Sequence, residues 1–153
     1  MLMKSTLILL VVLFIWPQAQ ETPEINKKII AFCDKNMGKK VGKGECWDLA
    51  AEALNNSGAK WTPPYEFGKE LNNNKDLVLP GDIIQFEKVK LVYPDGSWKE
   101  FPQHTAVIYK VIGKNHYTIA EQNSNRKRFV ILSDVDMNHL KKGKYSIFRP
   151  QVN

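Results

Sequence analysis

The run Gly42-Lys43-Gly44-Glu45-Cys46-Trp47-Asp48-Leu49-Ala50-Ala51-Glu52-Ala53-Leu54 constrains the fold more tightly than any other stretch of the chain. Cys46, Leu49, Ala50, Ala53 and Leu54 recur at i, i+3, i+4, i+7 and i+8, the spacing of one buried helix face. Two glycines in front release the backbone, and Asn55-Asn56-Ser57-Gly58 ends the helix with a residue suited to the left-handed conformation. Cys46 therefore falls in the first turn of a core helix, directly after a flexible loop. Free N–H groups and the positive end of the helix dipole favour a thiolate over a thiol there. Cys46 is thus a candidate nucleophile, in need of a base from elsewhere in the chain.

The chain is 153 residues long and 43% hydrophobic, which suits one globular domain and leaves little room for two. Residues 1–19 read as a secretory signal peptide: Lys4 is the positive start, Thr6–Trp16 the apolar stretch, and Ala19 a small residue near the cut. The apolar stretch falls short of the ~18 residues that span a bilayer, so no membrane span is expected once the leader is removed. Residues 20–153 then form a single exported domain, periplasmic or secreted. A formal net charge of +6 suits an anionic partner such as a cell wall, but it bears on encounter and not on chemistry. The basic residues are scattered except at Asn125-Arg126-Lys127-Arg128, which reads as a solvated turn. No aromatic platform accompanies it, so nucleic acid is not an expected partner.

Two cysteines in an exported chain allow a Cys33–Cys46 disulfide. The competing assignment makes Cys33 a small buried hydrophobe in a first helix. Thr22 would cap that helix, Pro23 begin it and Gly38 stop it, with Ile25, Ile29 and Cys33 on one face. Ala59–Leu79 follows the second helix without periodicity; it carries Trp61, Pro63-Pro64, Tyr65 and Phe67 and serves either as a groove wall or as a lid over the core.

Strands follow. Leu79-Pro80-Gly81-Asp82 turns into Ile83–Val89, and Pro94-Asp95-Gly96-Ser97 turns between Leu91–Tyr93 and Trp98–Phe101. His104–Ile112, His116–Asn123, Arg128–Leu132 and Tyr145–Phe148 complete the set, with a short helical or irregular piece around Asp134–Leu140. Helices first and antiparallel strands after define an α+β class, with N-terminal helices on a sheet of about five to six strands.

A catalytic cysteine requires a base in reach and a third group to orient it. Of the three histidines, His139 lies in a polar segment and reads as a surface residue. A two-residue turn at Gly113-Lys114 would pair Ile112 with Asn115, and hence Ala106 with Glu121 and His104 with Asn123. His104, Glu121 and Asn123 would then share one end of the face that carries Ile108, Tyr117 and Ile119, and His116 would point the other way. A turn one residue longer would substitute Gln122 for Glu121 and Asn123. Three polar groups on an apolar face call for a partner, and the start of the Cys46 helix is the natural one.

Gly-x-Gly-Glu-Cys-Trp before a helix, then Leu-Pro-Gly-Asp-Ile-Ile-Gln-Phe, His-Thr-Ala-Val-Ile, Glu-Gln-Asn and a closing Tyr-Ser-Ile-Phe-Arg-Pro together resemble the papain-like cell-wall peptidases. The branch they most resemble is the cysteine, histidine-dependent amidohydrolase/peptidase (CHAP) group, with NlpC-type peptidases as cousins. The resemblance spans about Gly38 to Pro150. It implies a papain-like fold, Cys46 as nucleophile, His104 as base, and Glu121 and Asn123 as the orienting pair. It also implies a monomeric peptidase or amidase that needs no cofactor or metal and cleaves peptidoglycan at the stem peptide or the glycan–peptide link. Backbone N–H groups at the helix start would hold the oxyanion, with Gln85 as a further donor. Two alternatives stand: an acyltransferase or deamidase on the same fold, and a non-catalytic exported binding protein stapled by Cys33–Cys46.

Overall fold

The computed structural model describes residues 20–152, so the expected signal peptide at 1–19 lies outside them. Two helices, α1 (Glu24–Asn36) and α2 (Cys46–Ser57), precede the strands β1 (Lys69–Glu70), β2 (Ile83–Val92), β3 (Trp98–Gly113), β4 (His116–Glu121), β5 (Ile131–Asp136) and β6 (Leu140–Arg149). A 3-10 turn, Met137–His139, joins β5 to β6. The six strands form one antiparallel sheet in the order β1-β6-β2-β3-β4-β5. The class is α+β, as expected.

α1 buries Ile25, Ile29 and Cys33 along one face. It begins one residue later than the sequence signals place it: Pro23 is the cap, and its carbonyl accepts the Lys27 N–H at 3.1 Å. α2 starts at Cys46 itself. The Asp48 carboxylate accepts the Lys43 N–H at 2.7 Å and the Glu45 N–H at 3.1 Å, drawing the preceding loop against the helix. Gly42 makes that close turn possible: its φ is 56°, and a Cβ there would lie 2.9 Å from the Asp48 Cβ.

The sheet is buried on both faces. Ile83, Val107 and Ala120 lie in register across β2, β3 and β4 and pack against both helices. On the reverse face Ile84, Phe86, Ala106, Ile108, Tyr117 and Ile119 belong to a second core. The sheet itself encloses this second core by coiling. Tyr93, just past β2, packs edge-on against His139, just past β5, at 5.4 Å, and the Tyr145 hydroxyl of β6 donates to Asn115 Oδ1 at 3.5 Å. The helices thus cover the Val107 face, and not the His104–Ile108 face on which the sequence expectation placed them.

The expected register holds in the middle of the β3–β4 pair, where Val107 faces Ala120 and Ile108 faces Ile119. The turn is different: Gly113 pairs with His116, and Lys114-Asn115 make the loop, with Asn115 at φ 59°. An asparagine tolerates that conformation. Two register shifts, between Ile108 and Lys110 and between Val111 and Gly113, compensate for the moved turn. Four expected strands around Pro94–Ser97 are two long ones. Pro102 does not break β3: it lies opposite Lys88 (φ 52°), and that one pair is missing from the ladder while the register runs on unchanged from Glu87–Gln103 to Val89–Phe101. β5 begins at Ile131 and not at Arg128, and β6 extends the expected Tyr145–Phe148 to Leu140–Arg149.

One buried ion pair fastens α1 to the sheet. Asp82 is fully buried and accepts from Arg149 Nε and Nη2 at 2.9 and 2.8 Å, from Asn26 Nδ2 at 2.9 Å and from the Leu79 N–H at 2.8 Å. Replacing Asp82 by Ala leaves the guanidinium and the amide without their partner. It should cost about 3–5 kcal/mol in urea unfolding, and a loss below 1 kcal/mol would contradict this assignment.

Candidate active site

β4 stops pairing with β3 at Val107–Ala120, so the end of β3 from His104 to Ala106 is open on the β4 side. The Ile108 N–H and C=O both face β2, bonding the Asp82 carbonyl at 2.8 Å and the Gly81 N–H at 2.7 Å. Strand alternation then directs the Thr105 N–H to the open side. The first residue of α2 comes up to that opening, near enough to the Thr105 N–H and the His104 imidazole for both to favour the Cys46 thiolate.

His104 is buried, with its ring centroid 5.3 Å from Phe101 and 6.2 Å from Phe86. Its Nε2 lies 2.6 Å from Glu121 Oε2, which leaves Nδ1 for the thiol. Glu121 is also buried, and its second oxygen accepts from the Ser133 hydroxyl. Cys46, His104, Glu121 and Ser133 therefore follow one another in a line, in the order that a nucleophile, its base and an orienting group would require.

Electrostatics favour the ion-paired form of this line. Burial pushes the Cys46 thiol up, but hydrogen bonding from His104, the Thr105 N–H, the His104 charge and the Trp47 N–H together outweigh burial and bring it below its ordinary value. Burial likewise opposes the His104 imidazolium, yet Cys46 and Glu121 outweigh it and raise the group to about 9. Burial raises Glu121 too, but bonds from His104 and Ser133 and the charges of His104 and Lys99 leave it lowered and anionic. The other cysteine is the reverse case. Burial, then the charge of Asp34, raise the Cys33 thiol to about 12, as befits an inert core residue. Both thiols are free, so the Cys33–Cys46 disulfide is absent.

Asn123, expected beside His104, does not reach it. β4 ends at Glu121, and Asn123 adopts φ 59°, which removes it from strand alternation; its Nδ2 donates instead to Glu45 Oε2 at 2.7 Å. Glu121 is therefore the group that orients the imidazole. Gln85 is buried and committed elsewhere: its Oε1 accepts from the Thr105 hydroxyl at 2.5 Å, and its Nε2 donates to the Phe86 carbonyl at 3.2 Å. It is tied to the Thr105 side chain and to its own strand, and not to Cys46 or His104. His116 is half-buried on the other face, and His139 lies 3.4 Å from Asp136 at the periphery. Sequence reasoning missed the Thr105 N–H and Ser133. The former needed knowledge of where β4 stops, and the latter the correct start of β5. Among the described residues no group of three or more His, Cys, Asp or Glu side chains is placed to hold a metal ion.

The segment after α2 is ordered beside this site. Trp47 Nε1 donates to the Pro64 carbonyl at 2.6 Å, and the Trp47 and Trp61 rings lie 5.6 Å apart. Trp61 stacks on the fully buried Phe67 at 6.0 Å. The aromatics thus fasten the segment to the core and also make it a ledge next to the residue that follows Cys46.

Helices on a coiled antiparallel sheet, with a cysteine opening the helix against a strand histidine, define a papain-like cysteine proteinase fold. Residues 19–152 match the AIM3/BBC1 Cysteine proteinase-fold domain, and the chain belongs to that family. It is 30% identical over 145 aligned residues to "Altered inheritance of mitochondria protein 3" of Debaryomyces hansenii, covering 80% of this chain and only 15% of that protein. The crystal structure of Ly7917 with the hydrolyzing product of MDP superposes with a TM-score of 0.52 at 16% identity, over 82% of this chain and 62% of Ly7917. That likeness is one of fold.

Removing the imidazole leaves burial unopposed by its strongest counterweight, so His104→Ala should move the Cys46 thiol upward in pH. In wild type, iodoacetamide alkylation of Cys46 should rise with a midpoint below 9.0, the ordinary value. In the variant the midpoint should lie above it, and alkylation at pH 7 should slow about tenfold or more, one pKa unit being tenfold in thiolate. Equal pH profiles would contradict the ion pair.

Proposed function

We propose that this chain is a cysteine amidohydrolase that works through an acyl-enzyme, with Cys46 as nucleophile, His104 as acid–base and Glu121 as orienter. The observation that carries this is the Cys46–His104–Glu121 line, in which the thiol is lowered and the imidazole raised. The thiolate adds to an amide carbonyl: a C–S bond forms, and the carbonyl π pair moves to oxygen. As the tetrahedral adduct collapses, the C–N bond breaks and the imidazolium proton passes to the departing amine. Water, deprotonated by His104, then hydrolyses the thioester and restores the pair. First-turn N–H groups of α2, that of Cys46 foremost, face the developing oxyanion.

The substrate class is a peptide amide. Placement in the CHAP branch and a peptidoglycan substrate are the finer form of this proposal. They are supported by the order of motifs along the chain and by the fold likeness to Ly7917, which was crystallised with the hydrolyzing product of MDP. Export of the domain past its leader belongs to the same proposal.

Wild type and Cys46→Ala should be incubated with muropeptides and, separately, with a fluorogenic peptide library, and the products weighed by mass spectrometry. Hydrolysis gives new amine and carboxylate ends, and the variant should lose about 10³-fold or more. Cys46 is only half-buried at a helix end, so circular dichroism of the variant should match wild type. Turnover unchanged in Cys46→Ala would sink the mechanism, and a mass-shifted acceptor would reassign it to acyl transfer.

A further inference from the structure

The residue after the orienting carboxylate is as buried as anything in the fold, and the chemistry above does not use it. Gln122 is fully buried, and its amide is saturated by the loop that leads into the nucleophile. Its Oε1 accepts the Val41 N–H at 3.2 Å, and its Nε2 donates to the Val41 carbonyl at 2.9 Å and to the Glu45 carbonyl at 2.7 Å. A glutamine buried this deeply is retained at the cost of desolvating its amide, so all of its bonds must be made.

The Glu45 carbonyl is one half of the peptide unit whose other half is the Cys46 N–H. In a trans peptide the two point in opposite directions. A carbonyl anchored on Gln122 therefore sends the Cys46 N–H away from Gln122, out of the open end of α2, where a first-turn donor has no intrahelical partner. The same carbonyl also receives the Asp48 N–H at 3.2 Å, so two donors fix the plane. The Glu45 side chain is held from outside by Asn123 Nδ2 at 2.7 Å and by Arg128 Nη2, so the peptide cannot swing on its flank either.

We propose that Gln122 is a positioning residue for the oxyanion: it aims the Cys46 N–H by holding the Glu45 carbonyl. It acts through the backbone, and the thiolate and imidazole do not depend on it. This rests on the acyl-enzyme reading above. It also separates the two adjacent residues at the end of β4 by role, with Glu121 serving the base and Gln122 serving the oxyanion donor.

Gln122→Met removes both donors at nearly constant volume. The test compares Cys46 alkylation by iodoacetamide across pH with the affinity of a short acetylated peptide aldehyde. The aldehyde adds the thiolate to form a hemithioacetal whose oxygen occupies the oxyanion position. Gln122→Met should alkylate within about twofold of wild type and with the same midpoint, yet bind the aldehyde about 10²-fold more weakly, the scale of one lost oxyanion donor. A parallel fall in both would reduce Gln122 to a structural role, and unchanged aldehyde affinity would overturn the proposal while leaving the acyl-enzyme standing. A wild type that alkylates but binds no aldehyde would overturn both. Gln122→Ala leaves room for water to satisfy Val41 and Glu45 without fixing the peptide plane, so it carries the same test if the methionine variant does not fold.

Discussion

The contact on which the site depends is the buried pair of His104 and Glu121, 2.6 Å apart with almost no solvent access. Two such groups could not remain inside a hydrophobic sheet face unless each satisfied the other, since an unpaired buried charge costs several kcal/mol. Ser133 takes the remaining carboxylate oxygen, and Phe101 and Phe86 flank the ring. With the imidazole thus fixed in place and in charge, the proton removed from Cys46 has somewhere to reside. A thiolate in a half-buried position becomes possible because a cation is already paired beside it.

Getting the thiol to that cation is a problem of topology. α2 packs on the face opposite His104, so the nucleophile and base do not meet across a shared core. They meet because β4 pairs with β3 only as far as Val107–Ala120, leaving an opening into which the first residue of α2 projects. The loop before α2 is held there by Gln122, Asn123 and Arg128, all from the end of β4 and the segment after it. The strand that supplies the carboxylate beside His104 therefore runs directly into the segment that fastens the loop before Cys46. One register error in β4 would disturb both.

Much of this was legible from residue pattern. The period of α2, the αL glycine that closes it (Gly58 at φ 75°) and the parity that joins His104 to Glu121 all follow from local rules. The parity holds although the turn lies one residue further on, because two register shifts, near Tyr109 and near Ile112, together restore the pairing. Asn123 departs from the expectation because strand alternation ends with β4 at Glu121 and the backbone at Asn123 has positive φ. The covered face differs from the expectation for another reason. Alternation shows which residues share a face, but both faces of this sheet are apolar, and only the coil of the sheet decides which of them receives the helices. The role of Gln122 was invisible to spacing, since its partners Val41 and Glu45 lie about eighty positions earlier in the chain.

The central claim is that the resting site is a thiolate–imidazolium pair held by Glu121. Nitrogen NMR of the His104 ring reads this directly, because a doubly protonated imidazolium and a neutral tautomer have distinct shifts at both nitrogens. His104 should carry both protons at pH 7.5 and lose one only as the pH approaches about 9. A ring that is already a neutral tautomer at pH 7.5, titrating near the ordinary histidine value of 6.5, would contradict the account.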